Sequence, residues 1–195
     1  MSRLIFLSAG HSNGRGASKD RGAVVPGTGI YEGDLAIKCR DRIADICRNT
    51  YGLQVIEDRD EDALAQTLTF FRTLVRPDSI NLDIHFNAAA NPAASGCEAF
   101  IKDITNPFQW VHRLASRIVA GVCQHTKMPN RGVRPESMSA RKRLGWMTLT
   151  GHNILLEVCF LTNPKDMRDF DDAFRVLRHQ QQKFSSKTHA TAAEI

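Results

Sequence analysis

Short apolar runs alternate with amphipathic segments along this chain, and that alternation restricts the fold more than any other feature. Leu4–Leu7 reads as a buried strand, and residues 9–30 as a glycine-rich loop. From Tyr31 to Arg48 the apolar positions Leu35, Ala36, Cys39, Ile43, Ile46 and Cys47 recur at helical spacing. Leu53–Ile56 follows as a short strand, and Asp60–Val75 as a second helix stopped by Pro77. Ser79–Phe86 and Gly96–Ile101 read as strands and Asn106–His125 as a helix. A basic loop then leads to a strand at Trp146–Leu149 and another at Asn153–Cys159. Asn163-Pro164-Lys165-Asp166 opens a last helix carrying Met167, Phe170, Phe174, Leu177 and Phe184: Asn is a good cap, Pro suits the first helical position and Asp the first turn. Strands alternating with helices imply an α/β domain: one central, mixed but mostly parallel twisted sheet with helices on both faces. It is expected to span residues 1–184, with 185–195 a frayed small and polar tail.

At 195 residues the chain can bury a full core. No apolar run approaches the roughly 20 residues that span a bilayer, so membrane insertion is not expected. Leu4–Leu7 is too short for the apolar region of a signal peptide, which points to synthesis in the cytoplasm without an export signal. The cysteines (Cys39, Cys47, Cys97, Cys123, Cys159) form no CxxC pair and sit in apolar segments, as buried free thiols do; a zinc–thiolate site or a disulfide is the alternative. The net charge of +5 is modest, but Arg131, Arg134, Arg141, Lys142 and Arg143 cluster. That segment is either a solvated loop or an attractor for an anionic polymer. No aromatic interleaving or nucleic-acid motif accompanies it, so nucleic acid is not an expected partner.

Several polar residues stand where an α/β fold places its active site, at strand ends. His11 ends the first strand, and His85 ends the third within Asn81-Leu82-Asp83-Ile84-His85-Phe86-Asn87-Ala88. Glu32 opens the first helix, where it also suits the helix dipole. Glu157 interrupts Ile154-Leu155-Leu156-Glu157-Val158-Cys159-Phe160. A carboxylate in such a strand costs at least several kcal/mol, on the order of an unpaired polar group or more, to bury unpaired, so a cation, a metal or a shared proton must balance it. Two histidines and a carboxylate form a recurring catalytic zinc set that leaves a place for water, and a separate carboxylate can shuttle the proton. The parts for metal-assisted amide hydrolysis are present, although no HExxH motif is.

At these residues the chain resembles the zinc-dependent N-acetylmuramoyl-L-alanine amidases of the amidase-3 type. The matching segments run in order from about Leu4 to Asp166: Ala9-Gly10-His11; Asp20-Arg21-Gly22-Ala23 with Gly29 and Glu32; Asp83 to Ala88; Gly96-Cys97-Glu98-Ala99-Phe100; Asn130-Arg131-Gly132-Val133; and Leu155 to Asn163. The resemblance implies that His11, Glu32 and His85 bind Zn2+ and that Glu157 is the general acid/base. It implies that Asn87 lines the pocket, where it orients His85 or substrate, and that Arg134 borders the peptide groove and meets a stem-peptide carboxylate. Peptidoglycan is then the substrate, cut between the muramic acid lactyl group and L-Ala. Ser8-Ala9 stands where the family often has Asp-Pro, Thr162 where Ser is common, and Cys159 where Gly is frequent. With no export signal expected and a thiol-rich core, the chain reads as a cell-lysing endolysin of phage type that acts on the wall after release, with a monomer as the default state. The alternatives are a zinc peptidase that cuts within the stem peptide and a wall-binding module without activity.

Overall fold

A computed structural model describes residues 3–16, 18–102 and 109–176. The expected tail 185–195, Leu177, Phe184, Phe108 and the first turn expected of the third helix lie outside the described residues. The strands are β1 (Ile5–Ala9), β2 (Val55–Glu57), β3 (Ile80–Asn87), β4 (Cys97–Ile101), β5 (Asn130–Pro135) and β6 (His152–Phe160). The helices are α1 (Glu32–Asn49), α2 (Leu64–Arg72), α3 (Trp110–Thr126) and α4 over residues 164–176. One sheet joins all the strands in the order β2-β1-β3-β6-β4-β5. β4 runs antiparallel to β6 and every other neighbouring pair is parallel, giving the expected mixed, mostly parallel sheet.

Helices cover both faces. On one, Leu7, Leu82, Ile84, Phe86, Ile154 and Leu156 pack against α1, α3 and Phe170 of α4. On the other, Phe6, Phe100 and Leu155 pack against Leu68 and Phe71 of α2 and against Trp146 and Met147. Trp146 fills that layer and donates its indole N–H to the Asn81 carbonyl, 3.3 Å away. Parity follows from the two-residue repeat of a strand: Asn81, Asp83, His85 and Asn87 stand on the second face while Leu82, Ile84 and Phe86 supply the first.

The sequence reading and the structure differ in three places. Trp146–Leu149 is a 3-10 turn (Gly145–Thr148) and not a strand, because backbone bonds from Met147 to Leu144 and from Leu149 to Trp146 close tight turns that press the indole onto the sheet. Part of the basic loop is an edge strand, β5; a stretch with Val133 as its one aliphatic side chain gives no strand pattern, but pairing with β4 fixes it. α2 begins at Leu64 and not near Asp60, because residues 58–60 are held elsewhere: the Asp58 and Asp60 carboxylates pair with Arg40, and the Asp60 carbonyl accepts the Asn13 N–H.

The chain order places a crevice. From β1 the chain crosses through α1 to β2 on one side, while β3 lies on the other side of β1. The carboxyl ends of β1 and β3 therefore flank a topological switch point, where open α/β sheets form their sites. Beyond the carboxyl end of β6, Asn163 caps α4 as expected, accepting the N–H groups of Lys165 and Asp166 at 2.8 and 3.2 Å.

Candidate active site

The switch point gathers the residues that broke the sequence pattern. His11 lies two residues beyond β1 with φ +68, a left-handed conformation that costs a non-glycine residue about 1 kcal/mol. That turn swings the ring back over the sheet end, so that the His11 and His85 rings stand edge to face with centroids 5.2 Å apart. Glu32, buried at the start of α1, lies between them. Its Oε1 accepts from the Phe86 backbone N–H at 3.1 Å and stands 2.9 Å from His85 Nδ1. Its Oε2 accepts from the Ala23 N–H at 3.1 Å and stands 3.3 Å from His11 Nε2. Burial pushes this carboxyl up, but hydrogen bonds from His11 and His85 outweigh it and hold Glu32 well below the usual carboxylate range. Carboxylate contacts raise both histidines against the opposing effect of burial, Glu32 foremost for His11 and Asp83 foremost for His85.

One donor atom from each of His11, Glu32 and His85 lies within 4.8 Å of the other two. Tetrahedral donors about 2 Å from one ion stand roughly 3.3 Å apart; each histidine faces its own oxygen of the Glu32 carboxylate, at 2.9 Å for His85 and 3.3 Å for His11, so both imidazoles reach that spacing from the one carboxylate. Two imidazoles and a carboxylate are also the donor chemistry that suits zinc. The residues fit the metal.

Beside this cluster the sheet presents a row of polar side chains. His85 pairs in register with Glu157 of β6, and Glu157 with Glu98 of β4. Glu157 is half-buried, and its Oε2 has no hydrogen-bond partner among the described residues. Burial pushes its carboxyl up to about 7; His85 opposes this, and Glu32, Glu98 and Asp83 reinforce it. Glu98 is buried, with Arg134 Nε at 2.9 Å and Arg131 Nε at 3.3 Å. Asn87 donates its amide N–H to Glu98 Oε1 at 3.0 Å, so its side chain is directed along the row toward β4. Asn87 and Arg134 both line the cleft over the site, a cavity of about 860 Å³ that also exposes Arg131, Arg141 and Arg143.

Sequence reasoning passed over Asp83, Glu98 and Asp20. Asp83 is 2% exposed, and its Oδ2 is 3.2 Å from His85 Nε2. Asp20 Oδ1 is 3.0 Å from His11 Nδ1. The signal for Asp83 was available: polar residues at 81, 83, 85 and 87 mark one strand face, although a central parallel strand ordinarily reads apolar throughout.

Two glycines allow the close approach. A methyl group on Gly10 would overlap the His85 ring, and one on Gly22, whose φ is +72, would stand 2.6 Å from both Glu32 Oε2 and His11 Cδ2. Gly10→Ala is therefore expected to displace His85. A misplacement near 1 Å costs about 10²-fold in rate; turnover measured beside circular dichroism should show that loss with the fold intact. Unchanged turnover would mean that the ring has room to move.

Residues 5–182 match the model of the N-acetylmuramoyl-L-alanine amidase family. A Neisseria meningitidis protein assigned as an N-acetylmuramoyl-L-alanine amidase is 30% identical, with 90% of this chain and 89% of that one covered and a TM-score of 0.70. The catalytic domain of CwlV, an N-acetylmuramoyl-L-alanine amidase from Bacillus (Paenibacillus) polymyxa, is 22% identical, with 90% and 92% covered and a TM-score of 0.63. The catalytic domain of the CD27L endolysin, which targets Clostridia difficile, is 18% identical, with 86% and 87% covered and a TM-score of 0.60. The last two show a common fold alone. No curated protein sequence matches the chain.

Proposed function

The chain belongs to the N-acetylmuramoyl-L-alanine amidase family, and on that premise we propose that it hydrolyses the amide between the muramic acid lactyl group and L-Ala of the peptidoglycan stem peptide, with zinc held by His11, Glu32 and His85. The observation that carries this reading is the convergence of those three donors beside Glu157, whose Oε2 has no hydrogen-bond partner among the described residues. Zinc in this setting supplies Lewis acidity toward the scissile carbonyl and the attacking water. Glu157 accepts the water's proton and delivers it to the departing amine of L-Ala. Asn87 and Arg134 line the cleft where the stem peptide lies, and Arg134 offers its guanidinium edge to a peptide carboxylate.

The proposal extends to a cell-lysing, endolysin-type enzyme that works at the wall as a monomer, with the domain spanning residues 1–184. Arg141 and Arg143 on the cleft rim support it, because envelope polymers are anionic. No helix among the described residues is long and apolar enough to cross a membrane. The test is a digest of purified sacculi, read by mass spectrometry with and without a chelator. The expected products are glycan strands that keep the lactyl group and intact stem peptides with a free L-Ala amine, lost on chelation and restored by zinc. Shortened stem peptides would establish a peptidase instead, and chelator-resistant cleavage would remove the metal from the mechanism.

A further inference from the structure

Each of the two histidines is held at both ring nitrogens. His85 turns Nδ1 to Glu32 and Nε2 to Asp83, at 2.9 and 3.2 Å. His11 is the reverse, with Nε2 toward Glu32 and Nδ1 toward Asp20, at 3.3 and 3.0 Å. The nitrogens facing Glu32 are the ones that converge. A neutral imidazole carries a single N–H, and a nitrogen that lends its lone pair to a cation cannot keep it. The proton must then sit on the far nitrogen, and in both rings an aspartate oxygen stands there.

We propose that Asp83 is a positioning residue for His85, fixing the tautomer and ring angle in which Nδ1 is free to bind a cation, and that Asp20 does the same for His11 more weakly. The inference rests on the zinc-amidase reading above. The two aspartates differ in surroundings. Asp83 has a side chain 3% exposed, whereas Asp20's is 68% exposed. A charge-assisted hydrogen bond is stronger out of water, and an exposed pair is screened. Asp83 also has little structural reason to be charged. It stands on β3 beside Leu155 of β6, and its Oδ1 has no hydrogen-bond partner among the described residues. The hydrogen bond its side chain makes is the one to His85. A carboxylate placed there for packing alone would be worse than a leucine. As an acceptor behind a metal-facing imidazole it orients the ring and raises its basicity, an arrangement whose loss typically costs 10–100-fold in metal affinity.

The experiment compares the full chain with Asp83→Leu, Asp83→Asn and Asp20→Ala, each stripped of metal. Zinc dissociation constants are read by competition with a chromophoric chelator, and melting temperatures are taken on the metal-free proteins. Asp83→Leu, which keeps the branched shape with a somewhat larger side chain and removes the acceptor, is expected to raise the zinc Kd about 10–100-fold without lowering the metal-free melting temperature. Asp83→Asn, which keeps an acceptor oxygen, should recover part of that loss, and Asp20→Ala should raise Kd by less than about fivefold, as a screened surface pair would. A Kd for Asp83→Leu within about threefold of wild type overturns the proposal, as does a loss that appears only as a lowered melting temperature. If Asp83→Leu does not fold, Asp83→Asn decides, and an unchanged Kd there is the overturning result. Failure of the wild-type chain to bind zinc would instead remove the reading beneath it, so the two failures are told apart by the first titration.

Discussion

Glu157→Gln is expected to lower product release from sacculi by about 10²–10⁴-fold, the usual contribution of a positioned general acid/base, while the protein stays folded and keeps its zinc. Gln has the shape of Glu but cannot take up or return a proton. The position suits proton transfer, since Glu157 stands one strand from His85 in the same row and its Oε2 has no competing hydrogen-bond partner among the described residues. Burial first, and then the carboxylates of Glu32, Glu98 and Asp83, bring its carboxyl up to about 7, against the pull of His85. The same shift fixes the sign of a stability effect in the metal-free protein. The folded pKa lies above the unfolded value, so the stabilisation is complete below about pH 4.5 and is lost as pH rises through about 7. Glu157→Gln does not ionise, so the metal-free variant should exceed metal-free wild type at pH 8 by on the order of 1 kcal/mol. Urea unfolding at two pH values reads this. A variant that still clears sacculi at the wild-type rate would exclude Glu157 from proton transfer, whatever its stability.

How legible each part is depends on whether a residue contradicts its local pattern. His11, His85 and Glu157 stand out because each interrupts or ends an apolar run, and the strand ends they occupy form the crevice between β1 and β3 and its neighbour β6. Glu32 carries no such signal. An acid in a first helical turn is ordinary, and its part in the cluster follows from the family resemblance and then from its contacts. Asp83 and Glu98 are hidden for another reason. Their importance lies in cross-strand register, which pairs His85 with Glu157 and Glu157 with Glu98, and register between distant strands is not written in either strand alone. Ser8, where the family often has Asp, is a buried donor to Asp58 Oδ2 at 2.8 Å, a partner fifty residues away that no local pattern announces. β5 escapes a sequence reading because an edge strand of Asn, Arg, Gly, Val, Arg and Pro takes its structure from β4.

The largest stability effect is expected at a residue with no part in the chemistry. Arg40 lies on the core-facing side of α1 beside Cys39, where a helix pattern predicts an apolar residue, and it is 5% exposed. Its guanidinium meets Asp58 Oδ1 at 2.9 Å, Asp41 Oδ1 at 2.7 Å and Asp60 Oδ1 at 2.5 Å, with Glu57 Oε2 at 3.6 Å. Asp58 is buried too, and besides Arg40 it takes the Ser8 hydroxyl and the Ala9 N–H at the end of β1. The network therefore joins α1, the end of β2 and the strand end that carries His11. Arg40→Ala leaves Asp58 buried without its cation, a change that costs about 3–5 kcal/mol. For a chain of this size that is a fall in melting temperature of roughly 6–20 °C. The cost comes mainly from the stranded carboxylate, so Arg40→Leu combined with Asp58→Asn should be markedly more stable than Arg40→Ala alone. Thermal unfolding of the metal-free proteins separates these cases. If Arg40→Ala melts within about 2 °C of wild type, roughly the shift expected for under 1 kcal/mol, the pair is a surface-like contact and α1 is held to the sheet by its apolar face alone.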